Sequence, residues 1–304
     1  MPLILDPKQA DKLRMKKRVK RMLISKPGIK AERELLKRMS ALWRKVLFPA
    51  TERIKQIIEA GGTPGQIADV IEKALDQAEF EYGFATGDIV WRWRLSLDAD
   101  TRRNFLGGLK HSLGVDIQAM LDEQPVADVL AIGGWEAANL IKTIPGEYLG
   151  QVARAVADNF SGRPLPDGRS LLQQIQHIGD VTEKRAKLIA RDQTAKLNGA
   201  LNRARQESIG VSEYTWRTVR DERVVGKPGG LYPVGSKHHS NHHIMEGLRC
   251  RWDDATVYSR DGGKTWVKRT AEMPKNHPKD DIQCRCHAVP HIDVDELLSR
   301  AKAI

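Results

Sequence analysis

An α+β fold is expected: a mainly helical N-terminal two-thirds followed by a small α+β C-terminal domain with short strands and a β-hairpin. Three observations carry this expectation. Apolar residues recur at three- and four-residue steps through Ala204. After Gly210 they alternate with polar residues at a period of two. All three cysteines, Cys250, Cys284 and Cys286, fall in that last stretch.

The elements follow in order. Residues 7–23 are dense in helix formers and stop at Pro27-Gly28. A second helix spans residues 31–47, with Leu35, Met39, Leu42 and Val46 on one face; Pro49 breaks or kinks it before residues 52–60 resume. Gly61-Gly62 ends that piece, and Thr63-Pro64 reads as an N-cap followed by proline at the first helical position. Ile67, Val70, Ile71, Leu75 and Ala78 share the next helical face. Trp91 and Trp93 suggest a short extended piece, and residues 98–121 and 126–141 read as helices, the latter interrupted by Gly133-Gly134. A helix over residues 146–160 leads to the loop SGRPLPDGRS (161–170), then a short helix over 171–178 and a long one from Thr182. Asp192 and Gln193 fall on or beside the apolar stripe of that long helix, where burial would demand partners. Residues 214–219 and 248–252 alternate as strands, and Val257-Tyr258 and Trp266-Val267 flank a hairpin turn.

Composition narrows the function classes. With 304 residues, 40% of them hydrophobic, the chain can bury a real core and is neither collagenous nor disordered throughout. No apolar run approaches the roughly 18 to 20 residues that span a bilayer, and the N-terminus puts its apolar residues before its charges, the reverse of a secretory signal. A soluble protein without a membrane partner is expected. Residues 1–60 hold 17 Lys and Arg against 6 Asp and Glu, whereas the remaining residues balance at 33 of each sign. The basic end, with Lys8, Lys12, Arg14, Lys16, Lys17, Arg18, Lys20 and Arg21, is the surface expected to meet a polyanion or an acidic partner.

The chemistry-bearing residues cluster late. Histidines crowd KHHSNHH (237–243), followed by His277-Pro278, Cys284-Arg285-Cys286-His287 and His291. Three cysteines cannot build a disulfide framework, which favours free thiols or metal ligands. In an extended strand the two thiols of a Cys-x-Cys point to one side, and two thiolates with one or two imidazoles make a tetrahedral zinc site. The candidate ligands are Cys284 and Cys286 with His242 or His243, and His277 as the fourth group. The spacing is that of no common zinc finger, and against the site stands the reading that the thiols pack as small apolar groups and the histidines stay in water. Cys250 reads as a core residue of its strand.

Other chemistry is weaker. His238, His239, Asn241 and His242 offer the residue types of a His-Asn-His nuclease, without the following helix that such an enzyme needs. SRDGGKTW (259–266) resembles the Asp-box hairpin of sialidase-type propellers, but one copy makes no propeller; it reads as a tight hairpin held by Asp261 and Thr265. There is no P-loop, dinucleotide fingerprint or nucleophile elbow, and no catalytic residue is assigned.

From residue 144 to residue 291 the chain resembles the phage Mu F-like minor head proteins, also called phage head morphogenesis proteins. The resemblance rests on LIARDQTAKLN (188–198), YTWRT (214–218), DERV (221–224), His242 with Gly247 five residues on, His277-Pro278, Cys284-Arg285-Cys286 and Pro290. The family passes quickly from its Asp-x-Arg-Val stretch to its histidine; here residues 225–241 intervene, and either His242 or His243 is the family's histidine. The resemblance divides the chain into a helical arm and body (1–143), a head-morphogenesis domain (144–292) and a tail (293–304).

What the resemblance implies is a non-catalytic minor head protein of a tailed phage or prophage, in the head interior or at the portal vertex of the virion and in the host cytoplasm during assembly. It would act in head morphogenesis and in DNA packaging or ejection, beside portal, major capsid or scaffold proteins, with a metal-stabilised fold. Clustered Lys and Arg fit non-specific, salt-sensitive binding of double-stranded DNA. The alternative is a metal-dependent nuclease built on the histidine cluster.

Overall fold

The computed structural model describes residues 3–5, 7–15, 22, 28–118, 121–236 and 240–303. The order of elements is β1 (Leu3–Leu5), α1 (Pro7–Arg14), α2 (Ile29–Glu59), α3 (Pro64–Leu113), α4 (Gln124–Phe160), α5 (Leu171–Ser208), β2 (Glu213–Arg217), β3 (Arg249–Arg251), β4 (Val257–Tyr258), β5 (Val267–Lys268), β6 (His287–Pro290), α6 (Val294–Arg300) and β7 (Ala301–Ala303). This is the α+β fold that the periodicity predicts. No helix among the described residues is long and apolar enough to cross a membrane.

The helices are longer than their local signals suggest. Pro49 lies inside α2 and does not end it. An internal proline forfeits one hydrogen bond and crowds the preceding turn, at about 3 kcal/mol; buried Val46, Leu47, Ala50 and Ile54 on both sides hold the helix through it. Trp91 and Trp93 are helical, not extended: both lie in α3, with Trp93 buried and Trp91 half exposed, as residues two apart on a helix must be. Gly133-Gly134 and Pro145 likewise fall inside α4. The two helices expected after residue 170 are one, α5. Its capping box is Ser170 with Gln173: the Gln173 N–H donates to Ser170 Oγ at 3.3 Å, and the Ser170 N–H donates to Gln173 Oε1 at 2.9 Å. Thr182 instead turns its hydroxyl back onto the Ile178 carbonyl at 2.8 Å. Thr63 caps α3 as expected, paired reciprocally with Gln66.

The chain divides into two compact units, neither a continuous segment: residues 1–28, 97–132 and 194–304 form one, residues 29–96 and 133–193 the other. The boundary expected at residue 143 falls inside α4, within the second unit. In that second unit Thr51 and Tyr148 share a buried hydrogen bond of 2.6 Å, and Trp43 meets the Tyr148 ring edge-on at 4.6 Å. Asp192 and Gln193 are buried there, and Gln193 donates to Glu136 at 3.3 Å, which supplies the amide with the partner its burial demands.

The first unit carries two apolar clusters. One gathers Leu13 of α1, Phe105, Leu109 and Leu113 of α3, Ile209, Val211 and Leu297 of α6. Leu13 is fully buried in it, so α1 is docked rather than a free basic arm. Lys12 and Arg14 are exposed, and Arg14 pairs with Asp11 at 3.0 Å. Lys8 is exposed too, whereas Lys16, Lys17, Arg18, Lys20 and Arg21 lie outside the described residues. The other cluster is built on a three-stranded antiparallel sheet in the order β3-β2-β6, with Tyr214 opposite both Cys250 and Pro290, and Trp216 opposite Ala288. Alternation along β2 turns Tyr214 and Trp216 inward to meet Met245, Cys250, Trp252, Cys284 and Cys286. Cys250 is completely buried in that cluster. The hairpin β4-β5 is closed as expected by Asp261, which accepts hydrogen bonds from Ser259 Oγ at 2.6 Å and the Thr265 N–H at 3.0 Å on one oxygen and from Thr265 Oγ1 at 2.6 Å on the other.

Candidate metal centre

The site forms where two loops meet the inner face of the sheet. The first loop brings His242. The Asn241 side-chain oxygen accepts the Ile244 N–H at 3.2 Å and so caps the turn over residues 243–245. The His243 N–H donates to the Val225 carbonyl at 3.1 Å. Gly247, at φ +82°, then returns the chain to β3 by donating its N–H to the Trp216 carbonyl at 2.9 Å. A side chain there would be strained, which gives the glycine five residues after His242 a physical reason. Gly226 serves the same loop from the other side: at φ +81° it packs on Asn241 so closely that a Cβ would overlap its amide.

Glu246 pins this loop to the end of β2. Its carboxylate accepts from Arg217 at 2.8 Å, from Arg220 at 2.9 Å, and from the Thr218 N–H and hydroxyl at 2.6 and 3.1 Å. Partial burial works against the charge, but these four donors outweigh it and hold the pKa down at about 2. A carboxylate depressed in the folded state contributes stability that is fully present above its unfolded pKa near 4.3 and is lost as pH falls toward 2. Glu246→Gln is therefore expected to flatten the acid limb of a stability–pH curve between about 4.5 and 2. Superimposable acid titrations of variant and wild type would refute this.

The second loop brings the thiols. Cys284 and Cys286 precede β6 rather than lying in it, yet the segment is extended enough for both sulfurs to face inward while Arg285 points out. The parity expected of Cys-x-Cys holds without the expected strand. Gln283 takes φ +57°, and the Cys284 N–H closes a turn on the Asp281 carbonyl at 3.0 Å. The Lys279 N–H donates to Cys284 Sγ at 3.2 Å.

His242 Nδ1 lies 3.5 Å from Cys284 Sγ and 3.6 Å from Cys286 Sγ. The three ligand atoms fall within 4.8 Å of one another, all three residues are buried, and the group can hold a metal ion. On the other side of the ring, His242 Nε2 donates to Asp281 Oδ2 at 2.8 Å and contacts Ser240 Oγ at 3.1 Å. A carboxylate on the second nitrogen fixes the tautomer that leaves Nδ1 free to ligate. The Trp216 ring closes the site, edge-on to His242 at 5.6 Å.

Burial opposes charging His242, but the hydrogen bonds to Asp281 and Cys284 overcome it and raise its pKa to about 9. The contact with Cys286, and then His242, holds the Cys284 thiol well below its ordinary range, and the same contact together with burial pushes Cys286 up. A Cys–His–carboxylate line of this kind also resembles a nucleophile with its base, but two thiols nearly equidistant from one nitrogen are what shared coordination requires and what a single nucleophile does not.

Of the other expected ligands, His277 is not in the group. Its Nδ1 bonds the Tyr214 hydroxyl at 2.9 Å and its ring packs on Trp252 at 5.0 Å, where burial lowers its pKa to about 4. It is a neutral core histidine. His243 is exposed and stands apart from the cluster. Among the nuclease residues, His238 and His239 lie outside the described residues and Asn241 is committed to its turn. Sequence reasoning missed Asp281 and Glu246. The only signal for Asp281 was a carboxylate three residues before the first cysteine, and Glu246 had none.

His242, Cys284 and Cys286 line a cavity of about 310 Å³, whose wall also includes Val219, Arg223, Val225, Tyr232, Asp281, Ile282 and Arg285.

A segment of 211 residues, 68% of this chain, is 29% identical to an uncharacterized protein of Haemophilus influenzae strain Rd KW20, and it spans 39% of that relative's length. No protein-family model matches the chain, and no solved structure matches it.

Proposed function

We propose that this chain is a minor head protein of a tailed phage or prophage, associated with the portal or capsid interior, whose C-terminal module is held together by zinc. The observation that carries the reading is convergence. Several of the short motifs behind the family resemblance, scattered from residue 214 to residue 290, meet in one place, although His277 turns to Tyr214. Trp216 closes over His242, Gly247 bonds Trp216, the two cysteines face His242, and Pro290 pairs with Tyr214. A motif set that builds one centre supports a shared fold rather than chance likeness.

The donor set supports zinc. Two thiolates and an imidazole suit this ion, with bonds of about 2.3 Å to sulfur and about 2.0 to 2.1 Å to nitrogen; tetrahedral angles then set N and S about 3.6 Å apart. The two separations here are 3.5 and 3.6 Å. Zinc would supply a tie between the loop of His242 and the segment before β6, and both the thiol proton and the proton on His242 Nδ1 would leave on binding. His242 and both cysteines would hold it, Asp281 would orient the imidazole, and Trp216 would exclude water.

The exposed basic residues of α1 and those that follow it would contact DNA or an acidic head protein. Because Leu13 is buried, deleting the N-terminus would damage the fold, so charge substitution is the cleaner probe. Replacing Lys8, Lys12, Lys16, Lys17 and Arg18 by Gln is expected to leave thermal unfolding unchanged and to reduce the salt dependence of duplex-DNA affinity by several ions. An unchanged affinity and salt slope would remove DNA from the partners. Pull-down of the intact chain with candidate head proteins tests the assignment itself: retention of portal or capsid protein is expected, and its absence under assembly conditions would overturn it. Incubation with plasmid and Mg²⁺ or Mn²⁺ is expected to give no cleavage, whereas cleavage lost in His242→Ala would establish the nuclease instead.

A further inference from the structure

We infer that the metal centre keeps one exchangeable coordination position, facing the adjoining cavity, and that this position takes a carboxylate carried on a short hydrocarbon group. The inference rests on the metal reading above and specifies what that centre binds.

Three observations carry it. First, the described residues supply three ligand atoms, from His242, Cys284 and Cys286; the expected fourth, His277, is bound to Tyr214. A Cys₂His set with a fourth position left to an outside ligand is the pattern of zinc sites that exchange what they bind, whereas closed structural sites use four protein ligands. Second, all three ligand residues belong to the wall of the cavity. They are at once buried in the fold and bordered by space, and about 310 Å³ is room for a ligand of several heavy atoms. Third, the rest of the wall has two characters. Arg223 brings positive charge to the wall; Arg285 is taken up by its ion pair with Asp221, and the Asp281 carboxylate, also in the wall, is taken up by His242 and Asn276. Val219, Val225, Tyr232 and Ile282 make an apolar side.

The chemistry of the occupant follows. Two thiolates neutralise a divalent ion, so a monoanion at the fourth position leaves the centre at one negative charge, which the Arg223 guanidinium is placed to offset. Among oxyanions, phosphate and sulfate need polar partners on every side and would leave oxygens against valine and isoleucine. A carboxylate presents its charge to the ion and its hydrocarbon to the apolar wall. A free short-chain acid and the acidic side chain of a docked protein segment offer the same group.

The test uses the full chain loaded with cobalt(II) under a non-thiol reductant, because the visible bands of the ion report each change of ligand. Acetate, butyrate, phosphate and, as an ionic-strength control, perchlorate are titrated in turn; a short peptide rich in Asp and Glu forms a further arm. Carboxylates are expected to shift the bands saturably, butyrate more tightly than acetate by a factor approaching four per buried methylene, with phosphate weak and perchlorate silent. A response to the peptide at lower concentration than to butyrate would name a protein segment as the source; the reverse would name the free acid. Arg223→Gln is expected to weaken carboxylate binding several-fold while leaving cobalt content unchanged. Cobalt bound with thiolate absorption but insensitive to every carboxylate would overturn the inference and leave the metal centre standing. If the same chain became sensitive only in a His238→Ala/His239→Ala variant, an internal fourth ligand would be shown and the inference would equally fall. Failure to bind cobalt at all would overturn both.

Discussion

Cys284→Ser is expected to abolish metal retention and to bring the unfolding of its unit down by roughly 10 °C. The wild-type chain purified under reduction should carry about one equivalent of zinc, as one tetrahedral centre requires. An ion present at a thousandfold its dissociation constant stabilises the folded state by about 4 kcal/mol, and in a unit of this size each kcal/mol moves Tm by roughly 2–4 °C. A chelator should produce the same shift in the wild type and none in the variant, which makes the effect one of the ion rather than of the lost sulfur. Cys250→Ala is the control. Cys250 is fully buried in β3, so its truncation costs packing, but it is not in the ligand group, and metal content should not change. Equal metal content in wild type and Cys284→Ser, or a chelator without effect on the wild type, would remove the centre and leave the thiols as packing groups.

Asp98→Ala is expected to cost about 3–5 kcal/mol, the range for stripping one partner from a buried ion pair. Arg205 of α5 is completely buried; it donates to the Asp98 carboxylate of α3 and to Thr101 Oγ1 at 2.8 Å. Burial lowers its pKa, and Asp98 opposes that shift. Without Asp98 the guanidinium keeps its charge and loses its counterion. Arg205→Met in the same background removes the stranded charge, so the double variant should recover a large part of the loss, giving a coupling energy well above the few tenths expected of independent sites. Additive effects in that cycle, read from denaturant unfolding, would show that the pair is not what holds α5 to α3 here.

The amino-acid sequence by itself determined what depends on neighbours along the chain. The Thr63–Gln66 capping box, the alternation that turns Tyr214 and Trp216 to one side, the Asp261 hairpin and the common side of Cys284 and Cys286 all follow from spacings of two to four residues, which backbone geometry converts directly into position. The same short range misled at Trp91 and Trp93 and at Gly133-Gly134, and the break offered as one outcome at Pro49 did not occur. There each local breaker weighs a few kcal/mol at most, and burial of the flanking apolar face outweighs it. Only the tertiary structure decided the rest. His242 meets Cys284 and Asp281 across some forty residues of chain, whereas His277, far closer in sequence to the cysteines, turns to Tyr214 instead. Spacing alone would favour the nearer histidine, and the fold uses the farther one. What decides is loop geometry, set by Gly226, Gly247, Glu246 and the sheet beneath, because a ligand's direction is fixed by the fold that surrounds it rather than by its place in the chain.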